Sequence, residues 1–368
     1  MKKALPAFSK LLQKGIQDGH HLGAQVYVSL RGDTVAELAL GESREGVKMT
    51  RQTLMPWLSA SKPIAAIAIA QQWEKGFLKL DDPVIAYIPE FEEGGKENIT
   101  IRHVLTHTGG FRSLIDVEKH IEISWDDVIG KICHARLEKG WDPGHRAGYQ
   151  PLSGWYVLAE IVRRLTGETF EAYVKRHIFE PLDMFDSRFT LSSGDVERYG
   201  MRLALLYNTL NGRRESPYGW YLNRNADQCV PGASGRGPMS DLGKFYQALL
   251  TIMAGYEGGG IRSETANMFV GRHRIGLLDE TFGTVMDWGL GFVVDSKRNR
   301  WEEIPYGYGK HCSSQTFGHS GSQSSVGYAD PKCGLAVAIA VNGLPGEKTH
   351  QTRFRSLTTV LYEELRLN

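Results

Sequence analysis

Cysteine is scarce. The 368 residues hold four, Cys133, Cys229, Cys312 and Cys333, scattered and without a C-x-x-C pair. That spacing argues against a zinc ribbon and a disulfide framework. A surplus of charge of either sign is also missing: Lys plus Arg number 43 and Asp plus Glu 42, so neither a nucleic-acid footprint nor a charged disordered tail is expected. Long apolar runs are absent too. The best of them, Ile64 to Ala70, is far too short to span a bilayer. There is no internal repeat and no low-complexity linker. What remains is a chain with 42 glycines and 41% hydrophobic residues, ordinary for a loop-rich globular protein. It is long enough for one large domain or two modest ones.

The first residues, MKKALPAFSKLLQKGIQDGHH, resemble a signal sequence only in their two lysines. Lys10 and Lys14 interrupt any apolar stretch, and Leu5, Phe8, Leu11, Leu12 and Ile16 follow helical spacing instead. A soluble, cytoplasmic protein is expected. Ala24 to Gly41 alternates apolar and polar residues on either side of Gly32–Asp33 and reads as a hairpin. From Leu78 to about Leu250 the helical period dominates. Leu152 to Leu165 is the clearest helix, stopped at Thr166–Gly167. Glu215 to Met239 reads as a long surface loop, after which Ser240–Asp241 caps a further helix. Strand signals return in WGLGFVVDS, SSVGYAD and GLAVAIAVNG, and a last helix runs from about Thr349 to Leu365. The expected fold is α+β: an antiparallel sheet flanked by helices, with an inserted all-helical subdomain. In this division, residues 1–77 and 255–368 form the sheet part and 78–254 the helical part, with a site in the crevice between them.

The stretch TLMPWLSASKPIAAIAIAQQWEKG, from Thr53, places two serines and a lysine at the mouth of an apolar helix. A free serine is a weak nucleophile that needs a base beside it. Ser59 and Lys62 are three apart and share a helix face, whereas Ser61 and Lys62 are adjacent and point apart. Pro63 is tolerated only in a first turn, so the helix begins close to Ser59, at its positive end. A lysine in so apolar a place has its pKa lowered by desolvation. The plainer alternative is a serine cap and a snorkelling lysine. S-x-x-K arises by chance about once in a chain of this length. Its position at the junction of a strand signal and a buried helix is what favours chemistry.

This S-A-S-K resembles the S-x-x-K of serine β-lactamases and penicillin-binding proteins, and more closely the class C β-lactamase-like group, which includes esterases, D-aminopeptidases and acyltransferases. FLKLDDPVIAYIPEF, IRHVLTHTGGF and PGHRAGYQPLSGWYVLAEIVRRLTG follow in the order that the resemblance requires. It implies that Tyr149 takes the serine proton, although Tyr149-Gln150-Pro151 lacks the Asn or Ser of the family's Y-x-N or Y-x-S motif. Ser153 is the candidate to supply that polar group. Tyr221-Leu222-Asn223 spells Y-x-N outright but lies in the loop. His319-Ser320-Gly321 resembles the family's third motif, K-T-G or H-x-G. The N–H groups of Ser59 and Ser322 then form an oxyanion hole. Lys62 and Tyr149 together deprotonate Ser59, the lysine's charge stabilising a tyrosinate-like base, and which of the two holds the proton is left open. Trp220, Tyr221 and Trp288 are candidates to line an acyl pocket. His103 and His107 have the i, i+4 spacing of metal ligands but lack the H-E-x-x-H pattern and sit in a structural segment. His20, His21 and His120 read as surface residues. No metal, cofactor, nucleic acid or membrane is expected. The reading is a serine hydrolase that cleaves small-molecule esters or amides, esters foremost. Its alternatives are a D-amino-acid peptidase or amidase, an acyltransferase, and a catalytically silent binding homologue. The natural substrate and the oligomeric state are left open.

Overall fold

The computed structural model describes residues 5–112, 124–212, 226–256, 258–299 and 304–368. His120, Trp220 and the Tyr221-Leu222-Asn223 motif lie outside them. Seven strands form one sheet: β1 (Gly23–Leu30), β2 (Asp33–Arg44), β3 (Val47–Lys48), β4 (Val293–Val294), β5 (Phe317–Gly321), β6 (Ser325–Asp330) and β7 (Leu335–Val341). Their order is β3-β2-β1-β7-β6-β5-β4, and every pairing is antiparallel. The predicted hairpin is present. Its two-residue turn is Arg31–Gly32, both at positive φ (55° and 89°), a twist that suits the flanking strands.

Ten α-helices accompany the sheet among the described residues: α1 (Pro6–Gln17), α2 (Lys62–Glu74), α3 (Ile101–Leu105), α4 (Trp125–His134), α5 (Ser153–Thr166), α6 (Phe170–Val174), α7 (Ser193–Tyr199), α8 (Met239–Met253), α9 (Ser263–Val270) and α10 (Glu347–Leu365). The period-2 pattern of β7 explains how they are layered. Leu335, Val337, Ile339 and Val341 point into a core shared with Phe8 and Leu12 of α1 and with Phe354 and Leu361 of α10. Ala336, Ala338 and Ala340 point into the other core, with Ile64 to Ala70 of α2 and the helical body. The small side chains on that face let α8 lie close: a side chain at Gly243 would collide with the Tyr27 ring. So α8 packs on the sheet, although the sequence reading groups it with the helical middle. Its N-terminus is not capped by Ser240–Asp241. The Met239 N–H donates to Gln25 Oε1 of β1 instead, and Asp241 accepts from Ser187 Oγ at 2.9 Å.

Helix α2 is apolar all round, and every residue from Lys62 to Gln72 is buried, as such a helix must be. Two further expectations change. The described end of the supposed surface loop, residues 226–238, is largely buried. His21 is buried rather than exposed, with Nδ1 3.1 Å from Arg353 Nη1. His103 does not pair with His107: it closes a capping box with Thr100 at the start of α3. Among the described residues, no helix is long and apolar enough to cross a membrane.

Candidate active site

Met55–Pro56 pairs with Arg236–Gly237 and delivers the chain to Trp57. Leu58–Ser61 then forms a single 3-10 turn that runs into α2, with Pro63 in the first turn of that helix. Leu58 takes a φ of 51°, a left-handed conformation that costs a leucine roughly 1–2 kcal/mol. The surroundings impose it. Ser325 Oγ donates to Trp57 O at 2.6 Å, and Ser61 Oγ donates to Leu58 O at 2.6 Å. Gly321 and Gly235 press on the turn from two sides, where any side chain would collide with Trp57 O and Ser61 Oγ respectively. Strain confined to the residue before a reactive side chain is a mark of function.

The turn brings Ser59, Lys62 and Tyr149 together. Lys62 Nζ lies 2.9 Å from Ser59 Oγ and donates to Gly232 O at 2.7 Å. Tyr149 OH lies 2.8 Å from the same Ser59 oxygen. Lys62 is fully buried, and desolvation holds its pKa well below the usual lysine value. Burial also pushes the Tyr149 phenol up, opposed by its bond to Ser59 and aided by the charge of Asp279. Both shifts favour neutral groups, an amine beside a phenol. Of the two assignments the sequence leaves open, the tyrosinate is the form that burial disfavours.

A cavity of about 330 Å³ opens above these groups. Ser59, Tyr149, Trp288, His319, Ser320 and Ser322 line it, as the sequence predicts, together with Pro151, Thr281, Phe282, Met286, Val293, Tyr306 and Glu347. Not every candidate falls into place. Gly321 faces the Trp57 carbonyl instead of the cavity. Ser153 is buried at the start of α5, and its Oγ has no partner among the described residues, so it does not replace the missing Asn or Ser. His319 packs its ring against Tyr149 and Trp288 at 5.9 and 5.6 Å. Its Nδ1 meets Ser320 O at 2.8 Å, and its Nε2 has no partner among the described residues. It is therefore part of the wall, not of the hydrogen-bonded set around Ser59. Burial first, and Lys62 second, push its pKa down to about 3.

Three residues behind Tyr149 have no role at the site in the sequence analysis. His107, at φ 58°, accepts the Gln150 N–H at Nδ1 (3.0 Å), and its ring lies 4.9 Å from that of Tyr149 and 4.5 Å from that of Trp288. Asp279 Oδ1 accepts the N–H groups of Tyr149, Thr281 and Phe282 at 3.0, 3.0 and 3.2 Å. Its Oδ2 pairs with the buried Arg274 at 2.9 Å. His107 was visible in the motif THTGG; the Asp279–Arg274 pair has no motif to announce it.

The layers, the sheet order and the cavity over a serine, a lysine and a tyrosine define an α+β protein of the β-lactamase and penicillin-binding-protein type. Solved structures share this fold. A penicillin-binding protein homolog from Caulobacter crescentus superposes with a TM-score of 0.77 at 23% identity, covering 98% of this chain and 97% of its own. A family VIII carboxylesterase does so with 0.77 at 22%, covering 97% and 98%. The family described as Beta-lactamase matches residues 8–361, and the chain belongs to it; members of this family are serine hydrolases of esterase or penicillin-binding type. Among curated relatives, Esterase EstB of Burkholderia gladioli is 28% identical over 211 residues, 52% of each chain. PbpX of Bacillus subtilis (strain 168) is 37% identical over 134 residues, 36% of this chain and 32% of its own. The chain thus spans about half or less of the length of these two relatives.

Proposed function

We propose that the protein cleaves carboxylic esters through an acyl-enzyme on Ser59. The observation that carries the reading is the convergence of Lys62 Nζ and Tyr149 OH on one serine oxygen, at 2.9 and 2.8 Å. In this reading the neutral Lys62 amine takes the Ser59 proton as Oγ attacks the ester carbonyl. The carbonyl oxygen becomes an oxyanion, held by the N–H groups of Ser59 and Ser322. The C–O bond to the leaving alcohol then breaks. That alkoxide takes a proton from Tyr149, which regains one from the Lys62 ammonium. Water repeats the sequence in reverse roles: its proton passes to the same amine, its oxygen bonds to the acyl carbon, and Ser59 leaves reprotonated with the acid released.

The preference for esters rests on charge. The third motif carries a neutral His319, and among the described residues that line the cavity there is no lysine or arginine. A β-lactam or a C-terminal D-amino acid would leave its carboxylate without a cation. The test is a panel of p-nitrophenyl esters, D-amino-acid anilides and nitrocefin. Esters are expected to turn over fastest, with Ser59→Ala abolishing turnover and Ser61→Ala retaining much of it. Nitrocefin or the anilides leading would overturn the ester reading. Failure of a fluorophosphonate to label Ser59 in folded protein would point to a silent homologue.

A further inference from the structure

The cavity has one built-in asymmetry. From Ser59 outward, aromatic rings follow one another without a break: Trp288 to Tyr149 at 5.8 Å, Tyr149 to Phe282 at 5.0 Å and Phe282 to Tyr306 at 6.2 Å between centroids. The run ends at a carboxylate. Tyr306 OH donates to Glu347, 2.8 and 2.7 Å from its two oxygens. Glu347 is the only carboxylate among the described lining residues, which include no lysine or arginine. Its hydrogen bonds among the described residues come from neutral donors, Tyr306 and Gln351. We propose that this far end of the cavity binds an ammonium group, so that the substrates are esters carrying a cation away from the scissile bond, with Tyr306 and Glu347 as the residues that select it.

Two physical terms act in the same direction. A cation is attracted to an aromatic face and to a carboxylate; Glu347 is exposed, so its share of the attraction is screened by salt. A substrate carboxylate at the same place would meet like charge. The plainer role for Glu347 is that of an acidic residue in the first turn of α10, where the helix dipole favours it. That role does not need the carboxylate at the cavity or a tyrosine locked onto it. Tyr306 sits at φ 56°, a costly conformation for an aromatic residue. The first turns of α10 hold it there: its N–H donates to Gln351 Oε1 at 2.8 Å while its hydroxyl is fixed by Glu347. α10 therefore places a ring and a charge side by side at the cavity wall. The volume of about 330 Å³ is at the small end for ligand sites, which suits a short substrate spanning from Ser59 to Glu347.

The proposal rests on the esterase reading for the chemistry but not for binding, so the two can fail separately. Binding is measured first, by NMR titration of Ser59→Ala protein with choline, its neutral isostere 3,3-dimethylbutan-1-ol and the anion 3,3-dimethylbutyrate. Choline is expected to bind about tenfold tighter than the alcohol and the anion weakest, with the choline preference shrinking as salt rises. In Glu347→Gln, which keeps an acceptor for Tyr306, the preference should fall at least about threefold; a thermal melt checks that this variant is folded. The salt series on the protein with Glu347 intact gives a readout that needs no second variant. Equal binding of choline and the alcohol, or a preference that Glu347→Gln leaves intact, overturns the ammonium site. Turnover of a choline ester against its 3,3-dimethylbutyl counterpart then tests the chemistry. Cation binding without hydrolysis of either ester would overturn the esterase reading and leave the site standing.

Discussion

Lys62 is the residue whose chemistry depends most on its surroundings. In water its amine would be protonated at neutral pH and useless as a base. Packed inside α2, with hydrogen bonds among the described residues only to a carbonyl and the serine, it loses the solvation that stabilises the ammonium. In the proposed mechanism the base must be unprotonated, so kcat/KM should rise with pH through the depressed lysine pKa and level off well below the ordinary value of 10.5. Lys62→Arg, which cannot lose its proton, should lower kcat by about 10²–10⁴-fold. A pH–rate profile checks this; an ascending limb at the ordinary lysine value would contradict it. The spacing of Ser59 and Lys62 was legible in the sequence because helical geometry is local. The choice between amine and tyrosinate was not, because it depends on burial contributed by residues far along the chain.

At the scale of the element, the segment from Arg274 to Phe282 acts as a clamp on Tyr149. One carboxylate oxygen of Asp279 gathers three backbone N–H groups, while the other neutralises a buried guanidinium. Removing the carboxylate leaves the buried Arg274 without its hydrogen-bonded counter-charge. Asp279→Ala is expected to destabilise the protein by about 3–5 kcal/mol, read by urea unfolding, and to lower kcat as Tyr149 loses its anchor. A change within about 0.5 kcal/mol would refute the clamp. The hairpin Gly23–Arg44, α5 and the strands β6 and β7 were legible because period and turn chemistry are written in neighbouring residues. The clamp was not: Tyr149 and Asp279 are 130 residues apart, and although Arg274 lies close to Asp279 in the chain, no period or turn pattern pairs a carboxylate with a guanidinium. The helix α8 was found but given the wrong cap, because the glutamine that caps it belongs to β1.

Among the described residues four histidines are buried and neutral: His21, His107, His319 and His350. Burial pushes His21 and His319 down to about 3, and His107 and His350 well below the usual 6.5. The unfolded chain binds these protons near 6.5 and the folded one does not. Their contribution is therefore complete above that pH and is lost as pH falls through the window below it. Stability should drop by about 2–3 kcal/mol for each of His21 and His319 between about pH 7 and about pH 4.5, with His107 and His350 acting in the same direction. Urea midpoints across that range measure it, and His21→Gln should flatten the early part of the slope. A flat profile down to about pH 5, above the range where carboxylates titrate, would exclude the effect. The sheet-plus-helices architecture was visible from the order of strand and helix signals, and the family from four motifs in the expected order. The division at residues 77 and 255 remains a proposal that limited proteolysis can test.

The sheet order has a consequence for how the protein comes to be. β1 and β2 emerge early from the ribosome, but the inner partner of β1 is β7, and the strand that leans on the Ser59 turn is β5. A nascent chain therefore carries Ser59 long before Gly321 and Ser325 are in place to hold the Trp57–Leu58 turn. In the proposed function, the Ser59 turn is therefore complete only once those strands have been made and the sheet has closed.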